Sequence, residues 1–213
     1  MFFTSVRNLY TPPLKRNQFV YFHSKLFHLK IIGITGTLGA GKGTIVDYLT
    51  KHHGFTHFSV RGYLTKIIKV KGEEVNRDSL VNTANELRAN NTPSFIAEEL
   101  YREAKESGSN CIIESIRTIG EVNALHAKGN FNLFAIDAEQ KLRYSRIVER
   151  ASETDRVSFE TFADNEKREM NSDDPNKQNL TACMKLADYR FINNESFDQL
   201  YKEIDLVLEK IKG

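Results

Sequence analysis

The sequence of 213 residues predicts an α/β domain, a three-layer fold with a parallel sheet of five strands and helices on both faces. Three observations lead there. Five short apolar runs, rich in β-branched and aromatic residues, are spread along the chain. Stretches of helical length separate them, as a parallel sheet requires, because each crossover takes a dozen or more residues. The first run also passes straight into a glycine-rich turn and a helix.

In chain order, Ile31-Ile32-Gly33-Ile34-Thr35 has no polar alternation and reads as a strand buried on both faces. Residues 42–53 read as the first helix. His57–Val60 is the second strand, followed by helical stretches at 78–90 and 93–107. Thr92-Pro93 is a good helix start, a capping hydroxyl followed by proline at the first helical position. Cys111–Glu114 and Phe131–Asp137 are the third and fourth strands. Helices are expected over 139–151 and over 157–170, with Ser158 as a candidate cap. Tyr189–Ile192 is the last strand, and 196–211 the last helix. No repeat or linker interrupts this body, so residues 30–213 read as one domain.

Composition narrows the class. With 40% hydrophobic and 27% charged residues the chain can bury a core, which excludes a disordered or collagen-like protein. Cys111 and Cys183 are far apart and lack a CxxC partner, which points to a reducing, cytoplasmic setting and away from a zinc site. No apolar run approaches the roughly 20 residues of a membrane span, so no membrane partner is expected. The net charge of +2 averages two unlike parts. Residues 1–30 hold five basic residues and no acid, whereas 25 basic and 28 acidic residues remain in the other 183, a net −3. A faintly acidic body gives no reason to expect nucleic-acid binding. Residues 1–29, with seven aromatics and Pro12-Pro13, lack the apolar core of a secretory signal. They read as an extension outside the fold in preference to a mitochondrial targeting segment, which would carry more arginine and serine.

The strongest chemical signal is Gly36-Thr37-Leu38-Gly39-Ala40-Gly41-Lys42-Gly43-Thr44, between the first strand and the first helix. Glycines let the backbone turn tightly and aim its N–H groups at a polyphosphate, at the positive end of a helix. Lys42 is a mobile cation for the β- and γ-phosphates. The general motif places Ser or Thr directly after the lysine as a magnesium ligand, and Gly43 stands there instead. Thr44 follows, suited to the α-phosphate or, through water, to the metal; Mg2+ tolerates a largely hydrated site. Donor binding is therefore assigned to Gly36, Thr37, Gly39, Ala40, Gly41, Lys42, Gly43 and Thr44, with ATP and Mg2+ as the expected donor and metal.

This loop, with glycine after the lysine, resembles that of adenylate kinase and other nucleoside monophosphate kinases. Cys111–Arg117, Asn82–Arg88, Arg143–Arg150 and Ala187–Asn194 are similar to segments of the dephospho-CoA-kinase-like P-loop proteins, which include uncharacterised archaeal and bacterial members. The resemblance covers about residues 30–211. It implies a P-loop NTPase fold with a short lid near 150–157, and a kinase transferring the γ-phosphoryl group of ATP to a small acceptor, as a monomer or small homo-oligomer.

The resemblance also implies roles. Glu114 would face the metal's hydration shell with Thr44, although these kinases usually carry Asp there; a solvated strand-end glutamate is the plain alternative. Arg117 corresponds to the arginine that holds an acceptor phosphate, which a planar guanidinium grips in two places. Arg88 is a second acceptor candidate, against the ordinary reading of a solvated helical arginine. Arg143, Arg146 and Arg150 fall at i, i+3 and i+7 and share a helix face, where an anion would relieve their repulsion. They would stabilise the transferring group alongside Lys42 and Arg117, with Arg156 at the lid tip. A solvated face neutralised by Glu149 and Glu153 is the alternative. Lys167 and Arg168, beside Glu166 and Glu169, read as a salt-bridged surface, and the histidines as helix-end and loop residues.

One departure bears on substrate. These kinases usually place Asp just after the second strand to orient the acceptor, and this chain has Gly62, preceded by Arg61. A dephospho-CoA kinase needs an acid there for a ribose hydroxyl, whereas an acceptor phosphate is already ionised and needs positioning. The expected acceptor is accordingly a nucleoside monophosphate or similar phosphorylated metabolite. Dephospho-CoA kinase activity is one alternative; a nucleotide-binding sensor or slow NTPase is another. A ring-forming ATPase of the AAA type is disfavoured because no helical subdomain follows residue 213.

Overall fold

The computed structural model describes residues 29–150 and 157–211. The extension expected over 1–29 lies outside them except for Leu29, and the lid tip expected at 151–156 lies outside them altogether. Leu29 packs against the core and its carbonyl accepts from Asn130 Nδ2 at 3.0 Å.

Every residue of the first apolar run is buried, and it forms the central strand β1 (Ile31–Gly36). The other four runs become β2 (Thr56–Ser59), β3 (Cys111–Glu114), β4 (Phe131–Asp137) and β5 (Tyr189–Ile192), all parallel, in the order β2-β3-β1-β4-β5. This is the five-stranded parallel α/β sheet that the alternation predicts. Pleating sends successive side chains of β1 to opposite faces. Ile31 joins Ile113, Leu133, Ile96 and Leu100 on one side. Ile32 and Ile34 join Phe134, Ile45, Leu49 and Ile204 on the other.

Nine helices are present among the described residues: α1 (Lys42–His53), α2 (Val60–Val70), α3 (Arg77–Asn90), α4 (Phe95–Glu106), α5 (Ile119–His126), α6 (Gln140–Arg150), α7 (Phe159–Met170), α8 (Leu180–Lys185) and α9 (Phe197–Lys210). Three of them, α2, α5 and α8, are absent from the sequence reading, and local caps explain each. Ser59 Oγ accepts from the Gly62 N–H and turns the chain into α2 at Val60, which ends β2 one residue early. Thr118 and Glu121 form a reciprocal capping box that starts α5. Asn179 caps α8 through the Ala182 N–H. The Thr92-Pro93 start is corrected: α4 begins at Phe95, and Pro93 lies ahead of it with its carbonyl accepting from Thr118 Oγ1 at 3.1 Å. Ser158 does cap α7.

Strand order reverses at β1, which has β3 on one side and β4 on the other. In an open parallel sheet that reversal opens a crevice beyond the carboxyl ends of the strands. The register brings Ile34 level with Glu114, Glu114 level with Ser59, and Gly36 level with Ile136. The glycine-rich turn, Glu114 and the β2–α2 junction therefore share one edge.

Candidate functional site

The turn from β1 to α1 is shaped by neighbours that leave no room for side chains. Gly39 (φ 81°) and Gly41 (φ 109°) are left-handed. A Cβ at Gly39 would lie 2.5 Å from the Arg143 carbonyl oxygen, and one at Gly41 2.4 Å from Asn193 Nδ2. Thr37 Oγ1 donates to Asp137 Oδ1 at 2.6 Å, and Asn193 Nδ2 donates to the Ala40 carbonyl at 2.8 Å. The ends of β4 and β5 thus clamp the turn from behind. No side chain caps α1, which leaves its first-turn N–H groups available to an anion.

Lys42 opens α1 and folds back over the turn, with Nζ donating to the carbonyls of Gly36 (2.9 Å) and Thr37 (2.8 Å). Burial, with the Arg117 charge next, pulls its ammonium down to about 7, against the opposing pull of Glu114 and Glu169. A polyphosphate would supply the counter-charge that this position lacks. Gly43 is exposed and has nothing within 4 Å of a Cβ, so its side faces open space.

Glu114, at the end of β3, lines the same cavity as Lys42 and Thr44. Burial alone would raise its pKa; the His57 hydrogen bond, then Lys42 and Arg117, outweigh that and hold the carboxylate below the usual range. Its partner His57 Nε2 is 3.2 Å from Oε2, so His57, given no role in the sequence reading, buttresses it. A carboxylate and a hydroxyl are the hard oxygen donors that suit Mg2+. No cluster of three or more His, Cys, Asp or Glu occurs among the described residues, so such an ion would depend on the nucleotide's own oxygens.

The opposite wall is rich in arginine. Arg117 Nη1 donates to Glu169 Oε2 (2.8 Å) and Gln178 Oε1 (2.6 Å), and Arg77 Nη2 pairs with Glu169 Oε1. The expected surface of salt bridges around Glu166–Glu169 is therefore corrected: Glu169 is 8% exposed and turned inward. Arg88 is not solvated either. It is 1% exposed, bonds Glu121 through Nε (3.2 Å) and Nη2 (2.8 Å), and has an Nη1 that makes no hydrogen bond. Arg77, Arg88, Arg117 and Arg61 all line the cavity.

The three arginines of α6 divide. Arg143 is 4% exposed, donates to the carbonyls of Ala138 (2.7 Å) and Leu38 (3.2 Å), and pairs with Glu166. It is absent from the cavity wall and braces the phosphate turn from behind, which corrects the expectation that it faces the transferring group. Arg146 and Arg150 do line the cavity, and Arg146 Nη1 is buried with no acceptor.

One cavity of about 610 Å³ thus gathers the phosphate turn, Glu114, Arg146 and Arg150, and the arginines of the opposite wall. Apolar side chains of α2 and α3, Leu64, Leu80, Val81 and Ala84, form its floor beside those arginines. Sequence reasoning missed Arg77, Glu169, Gln178 and His57. Their partners lie 52 to 92 residues away in sequence, so no local spacing signals them.

The AAA_18 family model, described as an AAA domain, matches residues 32–172. The chain is 29% identical over 186 residues to a UPF0200 protein of Methanococcus vannielii, covering 86% of this chain and 97% of that one. It is 27% identical to the UPF0200 protein PAE1629 of Pyrobaculum aerophilum, covering 86% and 99%. Among solved structures it superimposes on TT1252 from Thermus thermophilus with a TM-score of 0.60 at 20% identity, covering 87% of this chain and all of that one. A shikimate kinase from Bacteroides thetaiotaomicron gives 0.51 at 15% identity, covering 84% and 98%. These likenesses establish a P-loop nucleotide-binding fold of the kind found in small-molecule kinases.

Proposed function

Since the chain belongs to the AAA_18 family of P-loop AAA domains, we propose that it is a phosphotransferase moving the γ-phosphoryl group of ATP to a small acceptor that already carries a phosphate, a nucleoside monophosphate or a similar metabolite. The observation behind this reading is that one cavity is lined both by a phosphate-binding turn and by four arginines of the opposite wall. Three of them, Arg77, Arg117 and Arg88, pair with two carboxylates, Glu169 and Glu121, and Arg61 adds a fourth charge, which leaves about two positive charges in excess on this wall, the complement of a phosphate monoester dianion. A neutral sugar or polyol would leave that charge uncompensated.

The turn Gly36–Thr44 binds the donor phosphates, and Lys42 leaves its own loop carbonyls for them. Arg117, Arg88 and Arg77 hold the acceptor's phosphate. Arg146 and Arg150 neutralise charge on the transferring group, while Arg143 keeps the turn in shape. Glu114 and Thr44 are the residues suited to Mg2+, which supplies charge neutralisation on the polyphosphate when bound. Catalysis on this reading is positioning and electrostatics, with no covalent intermediate on the protein. The junction of β2 and α2 presents Ser59, Val60, Arg61 and Leu64 to the cavity and no carboxylate, which favours an ionised acceptor over the ribose hydroxyl of dephospho-CoA.

The test is ADP release from ATP and Mg2+ with each of a panel of nucleoside monophosphates and dephospho-CoA. ADP that appears with one monophosphate and vanishes in Lys42→Ala supports the reading. ADP formed equally without acceptor makes the protein an NTPase, tight ATP binding without ADP makes it a sensor, and turnover that survives Lys42→Ala removes the assignment.

A further inference from the structure

The acceptor wall of the cavity already holds an anion, and it belongs to the chain. Glu169, in the last turn of α7, puts Oε2 2.8 Å from Arg117 Nη1 and Oε1 against Arg77 Nη2. One carboxylate therefore bridges guanidinium groups from α3 and from the β3–α5 connection, as two oxygens of a phosphate do when they meet paired arginines. A purely structural brace would be remote from the cavity and its arginines fully engaged, as Arg143 is. Glu169 instead lines the cavity with both partners, and the buried Nη1 of Arg88 on the same wall has no acceptor.

We infer that Glu169 is an internal stand-in for the acceptor's anion, holding Arg77 and Arg117 in place before an acceptor binds and yielding them to a dianionic phosphate monoester. This deepens the phosphotransferase reading and rests on it. The reason is an exchange of charge. A carboxylic acid entering the site brings one charge to replace one, and gains nothing for breaking two charge-assisted hydrogen bonds. A phosphate monoester brings nearly two charges at neutral pH and three oxygens, enough for Arg77, Arg117 and the unpartnered Arg88 Nη1 together. The internal carboxylate thus sets a threshold that monoanions fail to cross, and Leu80, Val81 and Ala84 receive the acceptor's apolar body.

Phenyl phosphate and benzoate, titrated calorimetrically without ATP, test this with the same apolar body and two different charges. Wild-type protein is expected to bind phenyl phosphate at least about tenfold more tightly than benzoate. Glu169→Gln keeps the shape without the charge, so both probes should tighten by the same factor, about tenfold, and benzoate becomes measurable. Phenyl phosphate binding that is unchanged or weaker in Glu169→Gln overturns the inference. Should that variant fail to fold by circular dichroism, Glu169→Asp serves instead, since its shorter side chain reaches one arginine only. Tightening of about threefold is then expected, and none overturns the inference. Arg77→Ala should weaken phenyl phosphate about tenfold; equal binding also counts against it. No nucleotide is present, so these outcomes stand apart from phosphoryl transfer. Acceptor-dependent ADP formation with no effect of Glu169→Gln removes the stand-in alone, whereas absence of both monoester binding and acceptor-dependent ADP removes the kinase reading as well.

Discussion

Arg88 and Glu121 form an ion pair withdrawn from water, 1% and 0% exposed, with Nη2 2.8 Å from Oε1. Glu121 is simultaneously the capping residue of α5, its Oε2 accepting from the N–H groups of Arg117 (2.8 Å) and Thr118 (3.1 Å). The pair therefore ties α3 to the connection that carries Arg117. Removing Arg88 alone strands a buried carboxylate, so Arg88→Met should cost about 3 kcal/mol or more in urea unfolding. Adding Glu121→Gln should recover part of that loss, because the uncompensated charge goes with it. A single variant as stable as wild type would show that the pair is not what orders this wall.

Glu169 gives the stability a predictable acid limb. Burial would raise its pKa, but the charges of Arg117 and Arg77 and their hydrogen bonds outweigh it and hold the folded value below the usual range. The unfolded chain then takes up the proton first, so this contribution is full above the unfolded pKa, near 4.3, and is lost as pH falls through the folded value. Urea unfolding at pH 7, 5, 4 and 3 should fall less steeply for Glu169→Gln than for wild type. Identical slopes would mean that other carboxylates govern the acid limb.

Some of this was legible in the chain and some was not, for physical reasons. The strands β1, β3 and β4 announce themselves because both their faces are buried, and Gly39 and Gly41 because their left-handed backbone and close neighbours admit nothing else. The helices α2, α5 and α8 are set by single caps such as Ser59, Thr118 and Asn179, and α5 and α8, of eight and six residues, are too short for periodicity to reveal. Helical spacing placed Arg143, Arg146 and Arg150 on one face. It had no means of showing that Glu166, a residue of the next helix, claims Arg143. Arg77 and Glu169 likewise meet only when α3 and α7 come together.

The division within α6 separates two kinds of arginine variant. Arg143→Met removes hydrogen bonds to Ala138, Leu38 and Glu166 and leaves Glu166 without its cation, so it should lower stability by about 3 kcal/mol and weaken ATP binding through the turn. Arg146→Ala gives up no hydrogen bond through Nη1 and should leave stability within about 0.5 kcal/mol. Its loss should appear in kcat, by about a hundredfold if it meets the transferring group. Melting curves and steady-state kinetics on both variants check the contrast, and a reversed pattern would exchange the two roles.

Ser115 has φ 74°, the single non-glycine residue with a left-handed backbone among those described. The cause is the turn after Glu114, where the N–H groups of Ser115 (2.9 Å) and Ile116 (3.0 Å) both donate to the Ile34 carbonyl. A side chain there costs about 1 kcal/mol relative to glycine. Ser115→Gly should therefore raise the urea midpoint by that much. A decrease would mean that the hydroxyl earns back more than the backbone loses.

The contacts of Leu29 and Lys30 make the expected amino-terminal boundary testable. Leu29 offers its carbonyl to Asn130 Nδ2 at 3.0 Å and packs on the core. Lys30 donates through its N–H to Asn110 Oδ1 at 3.0 Å and accepts from the Cys111 N–H at 2.9 Å, which fastens the start of β1 to β3. A chain shortened to begin at Leu29 keeps all three contacts, whereas one beginning at Ile31 forfeits them and the apolar contact of Leu29. At about 0.5–1.5 kcal/mol for each hydrogen bond, the second chain should be less stable by about 2 kcal/mol or more. The first should melt with the full-length protein and bind ATP equally well, as followed by thermal unfolding and calorimetry. Lower stability or weaker ATP binding in the chain that begins at Leu29 would assign residues 1–28 a part in the fold or in the site.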